Sequence, residues 1–483
     1  MNILIRYLGY ILLISSLFRI VPIVAGIIYG ESIITFVITV IISLLLGFIL
    51  LWFDRKQNIY YSKFSLSQLN LPNALSLVGL SFLILPLIGA ISFLPSFNYN
   101  FLNALFESIS GYTTTGLTLY NSLEGLPRSL LLWRAETQWV GGIGIIMVFL
   151  FIISRLKFYG SEEETQIEAT SALYQAQGFS EKIEPSLRKS SKNVLIVYGS
   201  YTLLGVIALY ITGMSLFESI ALSFTSLSTG GFIVSDSLQA NNIQLVILSL
   251  LMLLGSISFI THNKLLKIKF KEFFGSLEKN IFFLFLIICI GLTFIVFSDA
   301  KIIIFQLISA FTTTGYSITN ISALPSLFIM FIMLGMIVGG SIASTSGGIK
   351  ISRIYSLLKM IPWMLKKLSS PRHAIIPLKI RNQAVEEKDL LIIVVFVTLF
   401  FSILFLGTLI FLLLGYGLLD SFFQIASALG TVGLQTIDLM AVPIIGKLVL
   451  MVAMLLGRLE IFPILILIRK FFKLHKFKLH KFH

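Results

Sequence analysis

The sequence predicts an all-α polytopic membrane protein: four repeats of span, pore helix and span around one pore, with two extra spans at the N-terminus. Three observations lead there: an apolar composition, basic residues confined to alternate polar breaks, and a short motif that recurs four times. Of the 483 residues, 57% are hydrophobic and only 12% charged, against about 25% charged in an ordinary soluble domain. Apolar runs long enough to cross a hydrocarbon layer of about 30 Å recur along the whole chain. The longest polar breaks, about 155–192 and 365–389, hold too few apolar residues to bury a separate core.

The net charge of +14 is distributed as a topology signal, which excludes nucleic acid as the partner it serves. Basic residues gather at Arg55, Lys56 and Lys63, at Arg155, Lys157, Lys182, Arg188, Lys189 and Lys192, and at Lys264, Lys267, Lys269, Lys271 and Lys279. They gather again in 350–388 and in the tail from Arg469, whereas 214–241 and 416–446 contain none. Lys and Arg mark cytoplasmic loops, so both termini are expected in the cytoplasm and the chain in the cytoplasmic (inner) membrane. Arg6 precedes an apolar run that continues to Gly30 without a convincing cleavage site, which reads as a retained first helix. Spans over about 3–29 and 32–53 make up the N-terminal segment, 1–58. The lone Cys289 can form no intramolecular disulfide and is expected to be buried or lipid-facing.

The motif ends in Thr113-Thr114-Thr115-Gly116, then Leu227-Ser228-Thr229-Gly230, then Thr312-Thr313-Thr314-Gly315, then Gly430-Thr431-Val432-Gly433. Each copy follows an apolar run (73–95, 193–213, 280–298, 389–415) and a segment of about a dozen residues, too short to span. A second long span is expected from near Arg128, Asn241, Ala323 and Val442. The repeats are bounded as 70–157, 190–264, 280–368 and 389–470, leaving 471–483 as a basic cytoplasmic tail able to lie on anionic lipid.

Non-helical backbone at membrane depth survives only when buried or lining water, because lipid cannot satisfy its carbonyls. Four such strands around an axis can replace the hydration shell of a monovalent cation with carbonyl oxygens. The expected filter comprises Thr114, Thr115 and Gly116; Ser228, Thr229 and Gly230; Thr313, Thr314 and Gly315; and Thr431, Val432 and Gly433. None of these is acidic, which disfavours a divalent ion and favours a weakly hydrated one, potassium. No nucleophile, base and orienter can be assembled, so no enzyme and no bound cofactor are expected.

These motifs, together with Gln138-Trp139-Val140-Gly141-Gly142-Ile143-Gly144, Gly339 to Lys350 and Gly457-Arg458-Leu459-Glu460, resemble the Trk/Ktr superfamily of potassium transporters over roughly 70–470. The two extra spans resemble the TrkH/TrkG branch more than KtrB. The resemblance implies a homodimer with one pore per subunit, regulated by a cytosolic nucleotide-binding ring of the TrkA kind. It implies that Arg458 is an electrostatic barrier beneath the filter; pairing with Glu460 is the structural alternative. A sodium-coupled KtrB-like transporter is a second reading, and a secondary transporter of an organic anion a third, although that class often shows two inverted repeats.

Gly339, Gly340, Ser344, Thr345, Gly347, Gly348 and Lys350 fall in a Gly- and Ser/Thr-rich stretch within a region too long for one span. An unwound intramembrane segment is expected there; together with the resemblance it reads as a gate, with a rigid packing loop as the alternative. Gly141-Gly142-Ile143-Gly144 reads as a close helix-packing surface, and Arg134 and Glu136 as a structural polar cluster near the outer surface. His262, His373, His475, His480 and His483 have no ligand-spaced partners and read as solvated.

Overall fold

The computed structural model describes residues 2–60, 71–156, 187–259, 261–262, 271, 273, 275–371, 376–380, 383–385 and 387–479. Most of the basic stretches at 157–186 and 263–270, as well as His373, His480 and His483, lie outside the described residues.

The N-terminal segment forms α1 (Asn2–Phe18), α2 (Ile20–Tyr29) and α3 (Ile34–Tyr60). α1 and α3 pack side by side, with Gly9 against Leu51 and Gly47 against Leu13, and small residues allow this close approach. Arg6 pairs with Asp54 at 2.6 Å, closing one end of the pair.

Repeat 1 consists of α4 (Leu71–Gly89), α5 (Phe101–Tyr112) and α6 (Arg128–Leu156). Repeat 2 is α7 (Leu187–Ile211), α8 (Leu216–Leu227) and α9 (Asn242–Ser256). Repeat 3 is α10 (Leu277–Thr293), α11 (Ala300–Phe311) and α12 (Ser326–Val338), followed by α13 (Ile351–Leu368). A small antiparallel hairpin, β1 (Leu378–Ile380) with β2 (Gln383–Val385), separates it from repeat 4. Sequence patterning gave no sign of this hairpin. Repeat 4 is α14 (Glu387–Leu413), α15 (Leu418–Leu429), α16 (Ile444–Arg458) and α17 (Phe462–Leu479).

The short helices α5, α8, α11 and α15 each contain 12 residues. At about 1.5 Å per residue each is roughly 18 Å long, too short to cross. Their starts are set by local chemistry: Asn100, Ser215 and Asp299 accept a backbone N–H of the first turn, and Ser215 completes a capping box with Glu218. Each packs against the second helix of the preceding repeat: α8 on α6, α11 on α9, α15 on α12, and α5 on α16. The four repeats therefore close in cyclic order.

The second helices differ from the expected long spans. Only α6 runs on, for 29 residues; α9 has 15 and α12 has 13. α16 ends at a break and resumes as α17 with a bend of 104°. By length and composition, five helical segments among the described residues can cross a membrane: Leu4–Tyr29, Ile34–Lys56, Leu75–Phe93, Lys192–Ile211 and Leu390–Leu413. The bent pair is a sixth if counted as one. Three of the second helices meet the end of a short helix at a glycine, but only α9 and α16 stop there, while α6 continues past Gly141. A Cβ at Gly141, Gly255 or Gly457 would strike the terminal carbonyl of Tyr112, Leu227 or Leu429, and the backbone turns away just beyond Gly255, Val338 and Arg458. In this respect Gly141 serves the packing expected of it. Outward faces such as those of Ile211, Ile295 and Leu413 remain apolar and exposed, as a lipid contact requires, while the polar residues collect inside.

Candidate functional site

The four motif strands adopt one backbone conformation. Thr114, Thr229, Thr313 and Thr431 have φ of 51°, 53°, 58° and 51°, an uncommon left-handed state for a β-branched residue. Paired hydrogen bonds impose it. The N–H groups of Thr114, Thr229, Thr313 and Thr431 donate to Gly111, Ser226, Ala310 and Ala428; those of Thr115, Gly230, Thr314 and Val432 donate to Ser110, Thr225, Ser309 and Ser427. This is the Schellman closure of a helix C-terminus, with threonine where glycine is usual.

Two residues after each of these threonines stands a glycine with φ between 78° and 94°: Gly116, Gly231, Gly315 and Gly433. The second repeat thus differs from the sequence reading. Gly231, not Gly230, is equivalent to Gly116, because Ser228-Thr229-Gly230-Gly231 aligns on its left-handed threonine. Each of the four glycines lies against the next repeat. A Cβ on Gly116, Gly231, Gly315 or Gly433 would fall on the carbonyl oxygen of Gly230, Thr314, Val432 or Thr115, respectively. The oxygens of Thr115, Gly230, Thr314 and Val432 therefore occupy one cyclic set at which all four quarters meet.

On one side the strands open into a cavity of about 650 Å³ lined by Gly116, Gly231, Gly315 and Gly433 with Thr118, Tyr120 and Tyr316. Asp236 also lines this cavity, and the buried Glu107 is neutralised behind the first strand. Arg134 lies 2.8 Å from it and also donates to Thr118 Oγ1 and the Ile233 carbonyl, so it ties the loops after the first two strands together. Both side chains are fully buried. Thus Arg134 pairs with Glu107 and not with its neighbour Glu136.

On the other side lies the segment 339–350. It is non-helical and almost wholly buried, with left-handed backbone at Gly339, Ala343, Gly348 and Lys350. It is bonded to the strands and helix ends around it. Gly347 N donates to Thr313 Oγ1 at 2.7 Å, and Thr345 Oγ1 lies 3.0 Å from the Leu227 carbonyl and 2.9 Å from that of Gly255. Thr229 Oγ1 lies 3.3 Å from Thr345 Oγ1, and a Cβ on Gly347 would meet Thr431 Oγ1. Ser344 and Ser346 bond to each other at 2.7 Å, and Lys350 Nζ donates to the Ser346 carbonyl. Gly340 presses against the Ser256 carbonyl.

Arg458 reaches this segment from α16. One guanidinium nitrogen donates to Thr345 O at 2.5 Å and another to Gly141 O at 2.9 Å, so three repeats meet at one cation. Glu460, in the break between α16 and α17, forms a 2.6 Å ion pair with Arg353 of α13, while the Arg458 guanidinium donates to the Thr345 and Gly141 carbonyls.

The family model for TrkH, cation transport protein, matches residues 33–303 and 296–478. The chain belongs to this family. An uncharacterised cation transporter of Methanocaldococcus jannaschii is 32% identical over 96% of this chain and 94% of its own length. The Trk system potassium uptake protein TrkH of Escherichia coli K12 is 28% identical over 96% and 97%. The crystal structure of the potassium transporter TrkH from Vibrio parahaemolyticus superposes with a TM-score of 0.82 at 24% identity, covering 96% of this chain and 98% of that one, and establishes the shared fold.

Within this TrkH-family chain, the structure places His262 differently from the sequence expectation, and two residues carry more than their sequence context indicated. His262, expected to be solvated, is fully buried, with its ring nitrogens near the Leu254 carbonyl and the Tyr201 hydroxyl. Cys289 is buried, as expected. Arg19 was overlooked: it is fully buried at the α1–α2 junction, donates to Ser15 O and lies 5.2 Å from the Trp133 ring. An arginine inside a 26-residue apolar span was the available signal. Gln138 was noticed only as part of a motif, yet it bonds directly to the second strand.

Proposed function

We propose that this chain carries potassium ions across the cytoplasmic membrane along the axis enclosed by the four strands. The observation that supports this best is the cyclic set of carbonyls from Thr115, Gly230, Thr314 and Val432, at which no carboxylate is available and toward which four helix C-termini converge. Carbonyl dipoles at this density can stand in for the water shell of a weakly hydrated cation, and the C-terminal ends of α5, α8, α11 and α15 add negative potential. The potassium transporters named among the relatives give the same ion.

In this reading Thr114, Thr229, Thr313 and Thr431 form the inner end of the filter, and Gly116, Gly231, Gly315 and Gly433 the outer. Residues 339–350 close the path below it, and Arg458 holds that closure while placing a positive charge beside it. Both termini face the cytoplasm, two copies assemble with one pore each, and a cytosolic nucleotide-binding ring regulates them through the basic loops. Purified protein in liposomes should take up potassium and rubidium in preference to sodium. Uptake of sodium at the same rate, or no cation uptake by folded protein with and without a cytosolic partner, would overturn the proposal.

A further inference from the structure

The four quarters hold their ring carbonyls in different ways. In repeats 1 and 3 the residue bearing the carbonyl is tied down by its own side chain: Thr115 Oγ1 lies 2.8 Å from Thr113 Oγ1, and Thr314 Oγ1 lies 2.8 Å from Thr312 Oγ1. In repeat 4 the carbonyl belongs to Val432, whose side chain is fully buried. In repeat 2 it belongs to Gly230, which has no side chain and is followed by a second glycine. Such a strand has the most backbone freedom of the four.

Gln138 occupies the vacant place. A Cβ built on Gly230 would fall on Gln138 Cδ and Oε1, so the glutamine side chain stands where a Gly230 side chain would stand. Its Nε2 donates to the Gly230 carbonyl at 2.7 Å, and its Oε1 accepts from Phe232 N at 3.0 Å. Gln138 is itself fully buried. The other repeats show what this replaces. Three residues before Gly255, Gly339 and Gly457 stand Met252, Met336 and Met454, all fully buried, where repeat 1 has Gln138 before Gly141. Each second helix packs on the short helix of the next repeat, so Met252, Met336 and Met454 hold the sequence positions equivalent to Gln138, which faces Gly230. The single polar residue of the series lies behind the single glycine.

We infer that Gln138 is a positioning residue for ion selection: it substitutes for the missing side chain of Gly230 and fixes that carbonyl at the radius of the other three. The inference rests on the proposed filter. A carbonyl oxygen has two lone pairs, so the bond from Gln138 leaves one for the ion. It also makes the ring chemically unequal, with one oxygen shared with an amide donor. Without the amide, the Gly230-Gly231 strand is free to move its carbonyl toward the axis and accommodate a smaller cation, so the preference for potassium over sodium falls.

The test uses Gln138→Met, Gly230→Thr, their combination and Gly315→Ser, in full-length protein in liposomes, reading rubidium against sodium uptake and thermal stability. Gln138→Met should lower the potassium-type preference roughly fivefold, the scale of one hydrogen bond of ordinary strength. Gly230→Thr should be poorly folded or unselective, because its Cβ meets the glutamine. The double variant supplies the methionine and threonine that stand at the equivalent positions Met252 and Thr314, and should recover stability and preference relative to Gly230→Thr. A folded Gln138→Met with unchanged preference, or a double variant no better than Gly230→Thr in both stability and preference, overturns the inference. Gly315→Ser separates this from failure of the filter itself: unchanged preference there removes the filter, whereas lost preference there with a silent Gln138→Met removes only the role of Gln138.

Discussion

Replacing Arg458 tests whether segment 339–350 is held shut by a latch or guarded by a charge. The guanidinium bonds the Thr345 and Gly141 carbonyls at 2.5 and 2.9 Å in a buried setting. Hydrogen bonds from a charged donor are worth about 1.5–3 kcal/mol each, so losing both weakens the closed arrangement by about 3 kcal/mol even at the lower end. If opening requires both to break, the open population rises by roughly 100-fold. Arg458→Ala should therefore increase rubidium uptake in liposomes by one to two orders of magnitude, measured on protein that remains monodisperse after heating. Arg458→Lys divides the two mechanisms. Lysine keeps the charge but cannot present the planar pair of donors that spans both carbonyls, so a latch predicts faster uptake for lysine and a pure charge barrier predicts no change. A folded Arg458→Ala that conducts no faster than the parent refutes both.

Shortening the segment by removing residues between Ile342 and Ser346 should raise potassium flux strongly in folded protein, since these residues carry the contacts to the strands; flux equal to the parent would show a packing loop. Gly→Ser at Gly231 should reduce potassium preference as Gly315→Ser does, because its Cβ meets the Thr314 carbonyl; uptake competition with sodium checks this, and an unaffected Gly231→Ser would restore Gly230 to that place in the register. In the loops after the first two strands, Asp236 accepts from Leu123 N and from Ser122 Oγ at 2.8 Å, and these bonds, Leu123 N foremost, hold its carboxyl below the usual carboxylate range. A lowered folded-state value stabilises the fold above the unfolded value and loses that contribution as pH falls through the folded one. Asp236→Asn should accordingly flatten the fall in thermal stability as pH drops through and below the usual carboxylate range; a melting curve with the same acid slope as the parent would count against it.

The fold was legible because the membrane imposes length and polarity on every segment, and four short helices followed by Thr/Gly strands leave few arrangements. The register of the second strand was not. Ser228-Thr229-Gly230-Gly231 offers two glycines, and a pattern of small residues does not distinguish them; the left-handed threonine does, through its 5→2 and 6→1 hydrogen bonds. Arg353 and Glu460 are 107 residues apart, and a pairing at that range has no local trace. The breaks after α9 and α16 were hidden because apolar side chains continue past them. The unwinding of 339–350 was visible, since four glycines and four hydroxyl residues leave little to pack against lipid.

Having all four quarters in one chain lets equivalent positions carry different duties. After Gly141, Gly255, Gly339 and Gly457, the next residues are Gly142, Ser256, Gly340 and Arg458. Three are small and allow the adjoining backbone to pass; the fourth is the longest cation, and it reaches across to the repeats that lack one. Repeat 3 alone supplies segment 339–350, and repeat 1 alone supplies Gln138 and Arg134. A ring of four identical chains could hold none of these singly: four arginines at the Arg458 position would crowd four charges around one axis, and four copies of 339–350 would compete for the same space beneath the strands. The near-identical φ angles of the four threonines show that the frame itself has stayed fourfold. In the proposed filter, the frame sets where an ion can bind, and the single departures from it are therefore where control of passage is to be sought.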